Sequence, residues 1–186
     1  MIFRAAEDAD LIREARRGNV EAYNLLVSRW EKRVFNYLLR IVGQREDALD
    51  LSQDVFLKAY LNLRKLDDPA RFAPWLFRIA HNEAYSLLRK HSPSTAADNV
   101  PEGAENELPA RGTAFPPELS IAVSTALSRL AADQREAVVL KIYQGFKFEE
   151  IAEILSTPVS TVKSRLYTAL DLLKAELAPV KSRGAS

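Results

Sequence analysis

Residues 91–118, HSPSTAADNVPEGAENELPARGTAFPPE, limit the possible folds more than any other stretch of the chain. This segment has five prolines, two glycines, several small polar residues and few scattered apolar ones. Such a composition buries too little apolar surface to offset the entropy lost on ordering. A long structureless stretch inside one compact domain is also uncommon. The pattern therefore predicts two units, 1–90 and 119–186, joined by a flexible linker over 91–118. Within both units glycine and proline rarely interrupt the periodic segments, and β-branched alternation is absent. The expected fold class is all-α, as two small helical domains. The first unit predicts helices over about 8–17, 20–42, 46–65 and 72–90, with stops at Gly18-Asn19, Gly43 and Asp67-Asp68-Pro69. The second predicts helices over about 118–130 and 133–143, then two more joined by a very short turn.

Composition removes several classes of function. The chain has 186 residues, 47% of them hydrophobic and 27% charged, enough for one medium domain or two small ones with a real core. It has no cysteine, which excludes disulfides and thiolate metal sites. Only His81 and His91 remain as nitrogen ligands, too few to predict a metal site. His81-Asn82-Glu83 lacks the spacing of a metal-binding helical pair. There is no glycine-rich phosphate loop and no nucleophile elbow, so no catalytic residue, cofactor or small-molecule substrate is expected. No run approaches the roughly 20 apolar residues that span a bilayer. The first residues are charged throughout, without an apolar signal core, and the chain stops soon after its last periodic segment. The expectation is a cytoplasmic protein without membrane insertion or an added C-terminal domain. Net charge is +1, divided as +3 over 1–90, −4 over 91–118 and +2 over 119–186. Any affinity for nucleic acid must then come from local patches.

The segment Phe146 to Lys174, FKFEEIAEILSTPVSTVKSRLYTALDLLK, supplies one such patch. Ile151, Ile154 and Leu155 recur at helical spacing, as do Val162, Leu166 and Leu170. Ser156-Thr157-Pro158 lies between the two runs. Thr157 is expected as N-cap, with Pro158 at the first helical position, where its missing N–H costs nothing. Ala152 is small where two helices must cross closely. From Ser160 to Leu170 the only charges are Lys163 and Arg165. A helix-turn-helix that puts its second helix into the major groove has this character. An ordinary helical hairpin in a bundle fits the same pattern.

Two helices of the first unit carry mixed faces. On the third, Ala48, Leu51, Val55, Phe56, Ala59 and Leu63 form the expected core stripe. A second row holds Asp50, Gln53, Asp54, Leu57 and Leu61. A solvated face does not need two leucines, and a core face does not hold two unpaired carboxylates. The mixture points to a docking surface for a basic partner, against the plainer reading of a solvated face. The fourth helix combines aromatics with bases. Trp75, Ile79 and Leu87 are expected in the core. Arg78, Asn82, Tyr85 and Arg89 share another face, where aromatics can stack unpaired bases and arginines hold phosphates. The preceding loop, Asp67 to Arg71, could add a pocket for a flipped-out base.

Four segments in this order, GNVEAYNLLVSRW, REDALDLSQDVFLKAY, FAPWLFRIAHNEAYSLLRK and FEEIAEILSTPVSTVKSRL, resemble the extracytoplasmic-function (ECF) group of bacterial RNA polymerase sigma factors, group 4 of the sigma-70 family. The resemblance covers nearly everything except 91–118. It implies that 1–90 is sigma region 2, which binds core RNA polymerase and opens the −10 element. It implies that 119–186 is sigma region 4, which reads the −35 element as duplex. By the same resemblance Asp47, Asp50, Gln53, Asp54, Leu57 and Leu61 would meet the polymerase β′ coiled coil. Asp68, Arg71, Phe72, Trp75, Arg78, Asn82, Tyr85 and Arg89 would lie along melted −10 DNA. Ser160, Thr161, Lys163, Ser164, Arg165 and Tyr167 would approach −35 DNA. An anti-sigma factor is an implied further partner.

The chain departs from the family pattern in three places. Ser156 stands where a turn glycine is usual, His81 where arginine is more common, and the basic tail after the fourth helix is only Arg89-Lys90-His91. Two other readings stay open on the residues: a stand-alone helix-turn-helix regulator that binds duplex DNA without polymerase, and a helical adaptor that binds no DNA. The row Asp50, Gln53, Asp54, Leu57 and Leu61 is unnecessary to the first, and the second predicts no salt-dependent DNA binding.

Overall fold

A computed structural model describes residues 7–91 and 117–183, and side chains for 7–91 and 119–178. Most of the expected linker, 92–116, lies outside the described residues. Eight α-helices account for nearly all the rest: α1 Asp8–Arg16, α2 Val20–Val42, α3 Arg45–Asn62, α4 Phe72–His91, α5 Pro117–Ser128, α6 Ala132–Val138, α7 Phe148–Leu155 and α8 Val159–Arg183. No strand occurs among the described residues. The fold is all-α, in two helical domains.

Local chemistry sets most of the boundaries. The Asn19 side chain caps α2 by accepting the Ala22 N–H at 3.2 Å. Gly43 ends the helix in the left-handed region at φ 77°, its N–H bonded to the Leu39 carbonyl. Asp68 accepts the Ala70 N–H at 2.9 Å and so starts the short 3₁₀ turn that leads into α4. Helix α3 continues as a 3₁₀ turn over Leu63–Lys65, so its expected extent to residue 65 is reached in a tighter winding. Helix α6 is α-helical only to Val138; Val139–Tyr143 widens into a π turn.

The apolar faces of α1, α2, α3 and α4 meet in one core. Tyr37, Phe72, Phe77, Ile12, Leu26, Leu38, Leu39 and Leu76 are all buried there. The expected α3 stripe of Ala48, Leu51, Val55, Phe56, Ala59 and Leu63 is buried as well. Helices α5, α6 and α8 enclose a smaller cluster around Leu127, Leu130, Val138, Leu166, Ala169 and Leu173. The larger core does not stop at the first domain. Val139, Leu140, Phe146, Ile151, Ile154, Leu155 and Val162 of the second domain belong to it. Helix α4 packs directly on α7, and the Phe77 and Phe146 rings meet edge-on at 4.9 Å. The two domains are therefore joined through apolar packing as well as through the chain.

Candidate polymerase and nucleic-acid interfaces

Helix α3 presents its second row to solvent. Asp50, Gln53, Asp54, Leu57 and Leu61 are all exposed, with Leu57 at 58% and Leu61 at 69%. Asp47, in the first turn, is half-buried. Since the opposite stripe of the same helix is fully covered, these leucines are not left over from a poor core. They add to an acidic ridge an apolar strip that a partner can cover.

The expected −10 residues fall into three groups. Arg78, Asn82 and Arg89 are exposed on α4, and Trp75 is half-buried beside them. A groove of about 360 Å³ lies between α3 and α4, lined by Lys58, Asn62, Lys65, Trp75, Arg78, Ile79, Asn82 and Glu83. The three residues from α3 and its 3₁₀ extension were not expected. Their only sequence signal is a basic and amide-bearing end to an otherwise acidic helix. Asp68 and Arg71 stand on the loop, Asp68 as a cap and Arg71 paired with Glu153 of α7.

Phe72 requires a correction. It is 2% exposed and packs edge-on against Trp30 at 6.0 Å, so it anchors the loop from inside and offers no face to a base. Tyr85 is half-buried, with its hydroxyl turned in toward α6. Its ring lies 4.5 Å from that of His81, and its buried hydroxyl makes no hydrogen bond. Burial raises its pKa, and the nearby Glu136 charge raises it further.

The turn between α7 and α8 differs from expectation by one residue. The Ser156 and Thr157 N–H groups close the end of α7 on the carbonyls of Glu153 and Ala152, at 3.3 and 2.9 Å. This is a Schellman arrangement with Ser156 in its left-handed position, at φ 49° and ψ 49°. Pro158, not Thr157, is the N-cap of α8: its carbonyl accepts the Val162 N–H at 3.1 Å. The capping shift matters little for α8, because Val162 and Leu166 still bury. Leu170 does not; Ala169 and Leu173 take the core side, and Leu170 is 36% exposed.

Ser160, Lys163, Ser164 and Tyr167 are exposed along the start of α8, with Thr161 and Arg165 half-buried. Lys163 lies over the Phe148 ring at 5.3 Å. Arg165 is held by Asp133 of α6, Nε to Oδ2 at 3.2 Å. The first turns of α8 thus carry one exposed cation over the Phe148 ring, one tethered by Asp133 and a set of small hydroxyls. Groups of these kinds can contact phosphate and base edges without a large basic patch.

Family models for sigma-70 region 2 and sigma-70 region 4 match residues 26–93 and 120–173. The chain is 31% identical over 184 residues to an ECF RNA polymerase sigma-E factor of Haemophilus influenzae, across 93% of this chain and 96% of that protein. This chain belongs to the ECF sigma factors. Two solved structures are similar across both domains. CnrH in complex with the cytosolic domain of CnrY is 28% identical with a TM-score of 0.69, covering 92% of this chain and 97% of that one. The sigma factor RpoE of Bartonella quintana, in complex with the anti-sigma factor NepR, is 26% identical with a TM-score of 0.68, covering 84% and 96%.

An ECF sigma factor is a transcription initiation factor and not an enzyme. Its work is done by surfaces, and this chain carries three candidates: an acidic and apolar ridge on α3, a basic and aromatic groove on α4, and a hydroxyl-rich helix start on α8. The feature that sequence reasoning missed is Glu136. In sequence it is one more acid on an amphipathic helix. In the fold it is 1% exposed and inserted against the first domain.

Proposed function

We propose that this ECF sigma factor binds core RNA polymerase through α3 and grips a promoter at two places, one with each domain. Residues 1–90 act as region 2, 91–118 as the connecting linker and 119–186 as region 4. Asp47, Asp50, Gln53, Asp54, Leu57 and Leu61 dock on the β′ coiled coil. Asp68, Arg71, Trp75, Arg78, Asn82, Tyr85 and Arg89 hold the melted −10 strand, with Phe72 buttressing the loop from within. Ser160, Thr161, Lys163, Ser164, Arg165 and Tyr167 read −35 duplex. The protein acts in the cytoplasm, where polymerase and promoter are. The complexes of CnrH with CnrY and of RpoE with NepR support an anti-sigma factor as its regulator.

The observation that carries this reading is the α3 ridge: two leucines more than half exposed beside Asp50 and Asp54, on a helix whose other face is fully buried. A stand-alone DNA-binding regulator gives no reason for it. The test is co-purification with core polymerase and run-off transcription on a promoter library, using wild type and the Asp50→Lys/Asp54→Lys variant. The variant is expected to lose polymerase binding while its circular dichroism stays unchanged. Unchanged binding moves the docking face elsewhere, and no association by wild type sinks the reading.

A further inference from the structure

Among the described residues no other carboxylate is buried as deeply as that of Glu136. It stands on α6, in the second domain, yet its hydrogen bonds go to the first. The Tyr37 hydroxyl of α2 donates to Oε1, and the same oxygen lies 2.7 Å from Nδ1 of His81 on α4. Tyr85 flanks His81, and Asp133 and Arg135 of α6 lie close to Tyr85. Next to this socket, Arg33 of α2 bonds the Gln144 carbonyl at 2.9 Å and its side-chain oxygen at 3.1 Å. The Arg33 guanidinium also lies over the Trp30 and Phe146 rings, at 4.5 and 5.8 Å. Arg40, buried on α2, covers Tyr143 at 4.1 Å. Arg71 and Glu153 close the far side.

Two facts set this interface apart from ordinary core. First, a permanent core gains little from a buried carboxylate, since apolar residues of the same shape often serve as well or better; a buried ionic group can instead fix register. Glu136 finds its donors at only one placement of α6 on α4. Second, part of the proposed strand-binding face meets the second domain. The Tyr85 hydroxyl is buried, Arg71 is occupied by Glu153, and the His81 nitrogen is occupied by Glu136. The Glu136 carboxyl thus takes a position against His81 on that helix.

We propose that this arrangement is an autoinhibited state, latched by Glu136 in the Tyr37–His81 socket, and that α6 must leave α4 before melted −10 DNA can bind. The proposal rests on the reading of α4 as the strand-capturing helix. The exposed α8 hydroxyls and Lys163 are not covered by the latch, so opening changes −10 capture and leaves −35 contact available.

The full-length chain allows a direct test, because it has no cysteine and two introduced thiols are its only ones. Arg33→Cys/Gln144→Cys places one on each side of the interface, outside the proposed DNA residues. Bridging them with a short, reductively cleavable bismaleimide holds the domains closed. The probe is a fluorescein-labelled single-stranded DNA of randomised sequence, read by anisotropy; core polymerase run-off is the second readout. The bridged protein is expected to lose strand binding and to regain it when the bridge is cleaved. Glu136→Ala is expected to bind the strand about tenfold more tightly, because apparent affinity rises with the fraction of open molecules. Glu136→Gln keeps the side-chain shape, guards against a folding defect, and should move in the same direction by less. Spin labels on the two cysteines should report a longer distance in both variants. Equal strand binding by bridged, wild-type and Glu136→Ala proteins overturns the latch and leaves the α4 reading standing. Absence of strand binding in every form, with polymerase binding intact, overturns the α4 reading and the latch with it.

Discussion

Ser156→Gly should stabilise this protein, although it removes a side chain and adds no contact. Ser156 occupies the left-handed position of the α7–α8 turn at φ 49°. An L-residue there costs roughly 1–2 kcal/mol from crowding of Cβ against the following carbonyl oxygen. Glycine avoids that cost but gives up about 0.5–1 kcal/mol through its looser unfolded chain. The difference leaves a gain of roughly 0.5–1 kcal/mol, which for a chain of this size raises Tm by about 1–4 °C. Gly145→Ala supplies the mirror experiment. Gly145 has φ 75°, and a Cβ built there meets nothing within 4 Å, so the substitution tests backbone strain alone. By the same difference it should cost roughly 0.5–1 kcal/mol net. Both effects can be read from thermal melts by circular dichroism and from urea midpoints. Because the larger core takes residues from both domains, a single transition is expected. A lower Tm for Ser156→Gly would refute the strain argument, as would a harmless Gly145→Ala.

Other substitutions probe other parts of the fold. Ile151→Ala and Ile154→Ala each empty a fully buried site in the shared core and should cost about 2–5 kcal/mol by urea denaturation. Tyr23, Tyr37 and Tyr85 are held above the ordinary tyrosine pKa, in each case mainly by burial. A raised pKa leaves their stabilisation complete below about pH 10 and removes it above, by up to about 1.4 kcal/mol per pH unit for each tyrosine. Urea midpoints should therefore fall between about pH 10 and 11, less steeply in Tyr23→Phe. Lys163→Ala should weaken −35 duplex binding and lower its salt dependence by about one phosphate contact. Asp133→Ala, by freeing Arg165, should strengthen that binding in the same titration.

The helices were legible because their signals act over one or two turns. Asn19 and Gly43 bound α2 at Val20 and Val42, as the caps alone predict. The α3 stripe buried as its spacing required, because a helix with one continuous apolar face has a single way to turn it inward. The exposed ridge of Asp50, Asp54, Leu57 and Leu61 was legible for the complementary reason: those residues do not fit on that face. The same local logic placed the α7–α8 turn to within one residue. Pro158 took the cap, its carbonyl accepting the Thr161 and Val162 N–H groups.

Elsewhere the outcome depended on what packs against a helix from outside its own sequence. Leu170 has the spacing of a core residue, but the smaller cluster closes on Ala169 and Leu173. Phe72 and Tyr85 read as rings available to bases, and the first is anchored against Trp30 while the second is half-buried with its hydroxyl turned in toward α6. Burial of a ring depends on the neighbouring surface, which helical periodicity does not encode.

The sequence by itself determined an all-helical chain, the division around 91–118, the faces of α3, and the helix-turn-helix. Each follows from capping, periodicity or composition within a short window. Only the tertiary structure decided that the two domains share a core, and that Glu136 leaves water to meet Tyr37 and His81. No local signal distinguishes that glutamate from a solvated one. Its hydrogen-bond partners are 99 and 55 residues away along the chain, and its burial exists only when α6 lies on α4.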